Sequence, residues 1–175
     1  MFTITTERPE DGPAIEAILD AAFGADRRRK ASYRFRHGVA PDPQLRLVAR
    51  DAGDAVIGTI RFWPVLVENA AGRRDALLLG PIAVNPPLVG KGIGRALIRA
   101  GLDMAAQAGH RLVLLVGDAA YYEPFGFVPA AARGFSMPGE TPSRLMALAL
   151  APHALAGGGV LVSRRPLRRG RARAA

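Results

Sequence analysis

Apolar residues alternate with polar ones, or run together, in seven short stretches of the chain. Every second residue is apolar at 2–6 and 44–50, whereas 77–84 is a nearly unbroken apolar run. Alternation indicates a strand with one buried face, and a short apolar run indicates a strand buried on both faces. We therefore predict strands at 2–6, 44–50, 56–67, 77–84, 111–117, 145–150 and 160–163. The stretches 68–75 and 129–142 are predicted as a turn and a loop.

Three other stretches have the sequence features of helices. The first helix begins at Asp11-Gly12-Pro13, which supplies a cap and a proline for the first turn, and it ends at Gly24. Its predicted buried face consists of Ile15, Ile18, Leu19, Ala22 and Phe23. The basic segment 26–38 is predicted as a second helix. The third begins at Ile93, and its predicted buried face consists of Ile93, Ala96, Leu97, Ala100, Met104 and Ala108.

The order of these elements predicts the sheet. The third helix crosses between the apolar strands at 77–84 and 111–117, which should therefore be parallel, whereas the shorter connections before them favour antiparallel pairs. Gly80-Pro81 interrupts the apolar run, because proline cannot donate to a sheet ladder, and this predicts a bulge.

The stretch 77–95 combines a strand, a glycine-rich turn and the start of a helix. The first N–H groups of a helix have no acceptor within it, and its dipole is positive at that end. Gly90, Gly92 and Gly94 leave room for an anion to approach the backbone, and Lys91 and Arg95 add positive charge. The stretch therefore predicts a phosphate-binding turn.

Two common phosphate-binding motifs do not fit this turn. A P-loop needs glycine where Asn85 stands and Ser or Thr where Gly92 stands. A dinucleotide fingerprint needs G-x-G-x-x-G after an early strand, but the glycines here are spaced G-x-G-x-G in the middle of the chain.

The turn instead resembles the pyrophosphate loop of the GCN5-related N-acetyltransferase (GNAT) family, which follows the pattern Gln/Arg-x-x-Gly-x-Gly/Ala. Gly92 and Gly94 occupy the two glycine positions, and Val89 replaces the opening Gln or Arg. Downstream, Tyr122, Gly126 and Phe127 match the family's Tyr-x-x-x-Gly-Phe. The surrounding sequence is similar to the YhbS-like group of predicted acetyltransferases, and the resemblance is strongest over 77–130.

The resemblance implies an α/β (α+β) fold with a mixed, mostly antiparallel sheet of six to seven strands and about four helices. Strands four and five would be parallel and splayed by the bulge, and the acetyl thioester would lie in the opening. The first two helices of the family border the acceptor site, so the segment 26–38 either contacts the substrate or is a surface helix. Trp63 either lines that site or packs in the sheet.

The resemblance also implies the activity, an acetyl-CoA-dependent transfer to a primary amine of a small molecule or protein by direct attack in a ternary complex. Tyr122 is the expected general acid, although a shift of one residue would give that role to Tyr121. The residues expected to bind acetyl-CoA are Ile82, Ala83, Val84, Val89, Gly90, Lys91, Gly92, Ile93, Gly94, Arg95 and Tyr121.

Two further questions stay open at this point. Glu68, Asp75, Asp118, Glu123 or a water chain would serve as the base. The alternative function is a non-catalytic acyl-CoA-binding sensor or regulatory module, against which the presence of Tyr122 argues.

Composition adds the class of protein. The chain has 175 residues, of which 49% are hydrophobic and 22% charged, and this favours one soluble domain, which we place at 1–165. It contains no cysteine, and its three histidines lack metal-ligand spacing, so neither a thiol nucleophile nor a metal is expected. The start of the chain lacks a signal sequence and no apolar run is long enough to span a membrane, which predicts a cytoplasmic protein without a membrane partner.

The formal net charge of +9 comes largely from two arginine-rich clusters, at 27–36 and 164–173. Without the six arginines of the second cluster the net charge is +3, an ordinary value. This distribution argues against a nucleic-acid partner. The expected partners are acetyl-CoA and an amine, and the protein is expected to be a monomer or a homodimer. The segment 166–175 has no apolar period and is predicted to be a disordered tail.

Overall fold

Residues 1–164 fold around one mixed sheet of nine strands with helices on both faces. The structure is a computed structural model that describes residues 1–164, so the predicted tail at 166–175 lies outside the described residues. The strands are β1 (Thr3–Thr6), β2 (Arg46–Arg50), β3 (Val56–Asn69), β4 (Gly72–Val84), β5 (Leu112–Val116), β6 (Val128–Pro129), β7 (Phe135–Ser136), β8 (Leu145–Ala149) and β9 (Gly159–Ser163). The α-helices are α1 (Gly12–Phe23), α2 (Ala31–Arg36), α3 (Ile93–Gln107) and α4 (Ala119–Tyr122).

The strand order is β1-β2-β3-β4-β5-β8-β6. Strand β3 is long enough to pair with β2 along its first half and with β9 along its second half, and β9 also pairs with β7. Among the strand pairs of residues 1–164, only β4–β5 and β7–β9 are parallel. This arrangement confirms the predicted mixed, mostly antiparallel sheet with parallel fourth and fifth strands.

The seven predicted strands are all present, but two stretches predicted as a turn and a loop also contribute to the sheet. The β3–β4 hairpin continues to Asn69 and Gly72, so the turn between the strands is shorter than the predicted 68–75. The segment 129–142 contributes β7 and part of β6, each of only two residues. Strands this short contain no alternation that a sequence pattern could show.

The helices differ from their predicted forms in two ways. The segment 26–38 is not one helix, because Lys30 is extended (φ −62°, ψ 146°) and separates a 3₁₀ turn at Ala25–Arg29 from α2. The predicted buried faces are also partly wrong: Ala22, Phe23 and Ala108 are exposed. The residues of α3 that are buried are Ile93, Leu97, Ile98, Gly101, Leu102 and Ala105.

Close packing explains why Gly101 belongs to the buried face of α3. A Cβ at Gly101 would lie 2.5 Å from Cε2 of Phe62, so the helix can lie on this ring only because the residue has no side chain. The predicted face of α3 includes several alanines, which contribute little apolar area, and Ala108, which follows the last helical residue. It is therefore rotated around the helix axis relative to the face that is buried.

The bulge and the splay that were expected at β4 are both present. Ile82 pairs with Ile60 and Leu79 pairs with Phe62, so Gly80 and Pro81 together lie opposite Arg61. Beyond this point β4 leaves β5, because the two strands pair only through Leu77–Val113 and Leu78–Leu114. The opening between the diverging ends of β4 and β5, called the wedge below, lies beside the start of α3.

Candidate active site

The glycine-rich turn ends in an uncapped helix N-terminus. Gly92 is the N-cap of α3 and has a left-handed backbone (φ +80°), and within the described part of the chain no side chain caps the helix. The first helical hydrogen bond runs from the Ala96 N–H to the Gly92 carbonyl (3.0 Å), so the N–H groups of 93–95 have no acceptor in the helix. A Cβ at Gly90 or Gly92 would meet no atom within 4 Å. The turn therefore presents backbone donors to open space.

Positive charge surrounds these donors. Lys91 and Arg95 are both exposed at the same end of α3, where the helix dipole is also positive. Open amides, a positive helix end and two cations are what a diphosphate group needs. The residues present thus fit the pyrophosphate of a CoA molecule, and the predicted residues Val89, Gly90, Lys91, Gly92, Ile93, Gly94 and Arg95 lie together in this turn.

The other strand residues predicted to bind acetyl-CoA lie beside the wedge. Ile82, Ala83 and Val84 follow the bulge in β4, and on their other side they pair with β3. At these positions the edge of β4 that faces β5 pairs with none of the described strands, because the last β4–β5 pair is at Leu78. Backbone groups of β4 on this edge are therefore available to a ligand.

The two tyrosines of α4 have different surroundings. Asp118 caps α4 by accepting a hydrogen bond from the Ala120 N–H (2.9 Å). The Tyr122 side chain turns into the core, where its ring packs edge-on against Phe127 at 5.9 Å between centroids, and it is 8% exposed. Burial, with a smaller contribution from the neighbouring Tyr121, raises the pKa of the Tyr122 hydroxyl to about 12.

Tyr121 lies on the side of α4 that faces the glycine turn. It is 41% exposed, and its hydroxyl lies 3.0 Å from the position that a Cβ would occupy on Gly94. Because Gly94 has no side chain, the Tyr121 hydroxyl has room to lie against the start of α3. Within residues 1–164, neither the Tyr121 nor the Tyr122 hydroxyl forms a hydrogen bond with a protein group. The structure brings Tyr121 to the turn, and the role of Tyr122 as the acid stays a prediction.

The four carboxylates considered as bases are not gathered at the wedge. Glu68 and Asp75 lie near the far end of the β3–β4 hairpin, where they pair with Arg73 and Arg164. Asp75 lies five steps along the strand from Gly80, roughly 16 Å at 3.3 Å per step. Asp118 is used as a cap, and Glu123 is exposed at the start of a 3₁₀ turn. The base is therefore not identified by position.

Comparison with known proteins places this geometry in a family. The profile described as "Acetyltransferase (GNAT) family" matches residues 12–127, which include both the glycine turn and the two tyrosines. The chain belongs to the acetyltransferase (GNAT) family. Its N-acetyltransferase relatives include YhbS of Escherichia coli strain K12, an uncharacterized protein that is 36% identical over 132 residues (73% of this chain and 74% of YhbS). YjhQ of the same strain, also uncharacterized, is 30% identical over 142 residues (81% and 78%).

Solved structures of GNAT proteins share the fold. The structure of E. coli YhbS in complex with CoA has a TM-score of 0.78 and 34% identity, and the match covers 91% of this chain and 88% of that one. A GNAT acetyltransferase from Brucella melitensis, in complex with acetyl-CoA, has a TM-score of 0.71 and 30% identity, with 93% and 95% covered.

The opposite face of the sheet from α3 contains a buried charged group that the sequence did not single out. Arg36 of α2 is 8% exposed, and its Nη2 lies 3.1 Å from the position of a Cβ on Gly80, within the β4 bulge. Burial lowers the pKa of Arg36 to about 10. The only signal in the sequence is a spacing of three residues from Tyr33, which puts both side chains on one side of α2.

Residues 1–164 show neither a metal site nor a membrane-spanning helix. No three His, Cys, Asp or Glu side chains are grouped as ligands of a metal ion in this part of the chain. His110 instead lies 3.3 Å from Asp42. None of the described helices is both long and apolar enough to cross a membrane.

Proposed function

We propose that this GNAT protein binds acetyl-CoA and transfers its acetyl group to a primary amine of a small molecule or protein, by direct attack in a ternary complex. The observation that supports this most is the uncapped N-terminus of α3, open to solvent and next to the wedge between β4 and β5. The relatives with CoA or acetyl-CoA in their structures support the same choice of ligand.

In this proposal the glycine turn holds the diphosphate of CoA. The N–H groups of Gly92, Ile93 and Gly94 donate to phosphate oxygens, and Lys91 and Arg95 add charge from the rim. Because Tyr121 presents its hydroxyl at Gly94, we assign it to the same binding site. Ile82, Ala83 and Val84 contribute backbone groups along the open edge of β4.

Acetyl-CoA supplies an activated acetyl thioester, so the chain itself needs no nucleophile. A backbone N–H on the open edge of β4, near Ile82 to Val84, donates to an oxygen that gains negative charge, which backbone donors stabilise well in a site that excludes water. Tyr122 holds a proton at its hydroxyl at neutral pH, since its pKa is about 12, and can donate it to a departing thiolate. In this proposal the amine loses its proton to water, because Glu68 and Asp75 lie near the far end of the β3–β4 hairpin and Asp118 is used as the cap of α4.

The test is the release of free CoA thiol with acetyl-CoA and a panel of primary amines, together with the acetyl-CoA dissociation constant from calorimetry. We expect saturable acetyl-CoA binding and thiol release that depends on at least one amine. Tight binding without turnover by any amine would favour the sensor function instead. Absence of acetyl-CoA binding would contradict both functions.

A further inference from the structure

The buried guanidinium of Arg36 has no counter-ion among the described residues. Its Nε and Nη1 atoms are fully buried, and no acceptor in residues 1–164 bonds to them. Arg27 in the same basic cluster shows the contrast: it is 3% exposed but pairs with Glu16 and Asp20. A buried charge without a partner is costly, so an unpaired arginine at this depth indicates a missing anion.

A second donor without an acceptor lies beside Arg36. The indole Nε1 of Trp63 is buried and has no hydrogen-bond partner within the part of the chain described. Arg36 Cζ is 5.9 Å from the centre of the Trp63 ring and 4.6 Å from that of Tyr33. The Tyr33 hydroxyl already accepts a bond from Arg27 (2.9 Å). Two aromatic rings thus flank a group of donors that lack an acceptor.

This group of donors lies at the reacting end of the proposed site. Nη2 of Arg36 reaches the bulge at Gly80, where β4 begins to leave β5. Arg61, opposite the bulge, has a counter-ion: its guanidinium donates two hydrogen bonds of 2.8 Å to the carboxylate of Glu7. Burial is the main cause that lowers the pKa of Arg36; interaction with Tyr33 opposes it, and the positive charges of Arg27 and Arg61 lower the pKa further. The local charge is therefore positive, and Arg36 is the member of this group left without a carboxylate.

We infer that the acceptor is a small amine that also carries a carboxylate, and that this carboxylate binds between Arg36 and the indole N–H of Trp63. The inference rests on the proposed function, because it names the acceptor of that reaction. A carboxylate is flat and accepts two parallel hydrogen bonds from one edge of a guanidinium. The faces of Tyr33 and Trp63 fit the apolar part of such a molecule, as in most small-molecule sites. Amino acids are the simplest amines of this class.

Binding can be measured without turnover, because Trp63 is the only tryptophan in the chain. We expect free amino acids to change its fluorescence saturably, and the matching amino-acid carboxamides to bind about tenfold more weakly or worse, since they lack the charge. Arg36→Met should abolish the response. Arg34→Met, an exposed position on the same helix, should keep it. If Arg36→Met does not fold, the binding of amino acids and of their carboxamides to the wild-type protein still tests whether the site recognises a carboxylate.

Activity gives the second measurement. With saturating acetyl-CoA, kcat/KM should be about tenfold or more higher for the acids than for their carboxamides, and Arg36→Lys should reduce this preference because it keeps the charge but loses the fork. Equal binding and equal turnover of acids and amides would overturn the inference and leave the proposed function intact. A fluorescence response without thiol release from any amine would uphold the carboxylate site and refute the function. Inorganic phosphate binding as tightly as the acids would overturn the choice of a carboxylate.

Discussion

At the scale of single residues, the neighbours Tyr121 and Tyr122 show how one helical step separates two environments. The Tyr122 ring fills core space beside Phe127, whereas the Tyr121 ring stays near solvent and meets Tyr122 edge-on at 4.9 Å. A phenol acts as a general acid only while it is protonated, and the burial of Tyr122 favours that form. Position at the turn favours Tyr121, and the family spacing favours Tyr122.

Replacing Tyr122 with phenylalanine tests the proposed acid. Tyr122→Phe keeps the ring that packs against Phe127 but removes the hydroxyl, so folding and acetyl-CoA affinity should change little. We expect kcat and kcat/KM to fall together by about 10²-fold, the low end for general acids, because a thiolate leaves readily. Steady-state kinetics and calorimetry measure the two effects. Tyr121→Phe is the matched control and should be the milder change.

The reverse result would assign the acid to Tyr121. If Tyr122→Phe retains wild-type turnover and Tyr121→Phe is inactive, the prediction is wrong by one residue. If both variants are fully active, neither hydroxyl is the acid.

A second prediction concerns the pKa of Tyr122 itself. The folded-state pKa of about 12 exceeds the ordinary value near 10, so raising the pH from 10 to 12 ionises this residue in the unfolded chain first and removes stability. Ultraviolet titration of the three tyrosines should therefore show one that ionises late, near pH 12, and Tyr122→Phe should remove that late phase. A late phase that persists in Tyr122→Phe would show that another tyrosine is the buried one.

Residue-scale features were the hardest to predict from the sequence. The motif spacing identified Tyr122 and the glycines, because these positions follow one another along the chain. Arg36 is one of several arginines in a basic segment. Its lack of a carboxylate partner depends on which carboxylates the fold brings near it, and the sequence does not show that. Arg27 is paired through Glu16 and Asp20 of α1, and nothing in the order of residues distinguishes it from Arg36.

At the scale of elements, the turn before α3 and the bulge in β4 act together. The bulge ends the pairing of β4 with β5, and the turn points the free amides of α3 at the space that this opens. Both could be predicted, because Gly80-Pro81 and the spaced glycines are strong local signals. The break at Lys30 and the two-residue strands could not, since they depend on contacts with distant parts of the chain.

Gly92→Val tests the turn. A branched side chain at Gly92 would extend into open space where we propose the diphosphate binds, so acetyl-CoA affinity should fall at least about tenfold, or about 1.4 kcal/mol. Valine at a φ of +80° also strains the backbone. Gly109→Val supplies the matched control, because Gly109 has a φ of +83° and open space around it, beyond the opposite end of α3. Calorimetry on both variants separates binding from strain: equal affinity in a folded Gly92→Val, or an equal loss in Gly109→Val, would contradict the proposed contact.

At the scale of the whole molecule, less of the positive charge is free to interact with solvent or a partner than the formal net charge of +9 suggests. Within the cluster at 27–36, Arg27 and Arg28 pair with Glu16, Arg29 pairs with Asp26, and Arg36 is buried. Four arginines of the cluster are therefore paired or buried within the α1–α2 region, whereas Lys30 and Arg34 stay exposed at its surface.

The wedge divides the sheet, but one core joins the two halves. Between β4 and β5 there are only two residue pairs, yet Phe62, Leu77, Leu97, Val113 and Met146 belong to a single buried cluster that spans β3, β4, α3, β5 and β8. A shared core of this kind should make both halves unfold together. We therefore expect one transition in calorimetric melting of the free protein.

Acetyl-CoA should raise the melting temperature of the whole domain in that single transition. At a free concentration 100 times its dissociation constant, a ligand of the folded state adds about 2.7 kcal/mol. For a domain of this size each kcal/mol is worth about 2–4 °C, so the melting temperature should rise by about 5–10 °C. Because a tenfold weaker Gly92→Val would be only about tenfold above its dissociation constant at that concentration, its rise should be about half as large. Two transitions, of which acetyl-CoA moves only one, would show that β1–β4 and β5–β8 fold as separate units and that the ligand binds one of them alone.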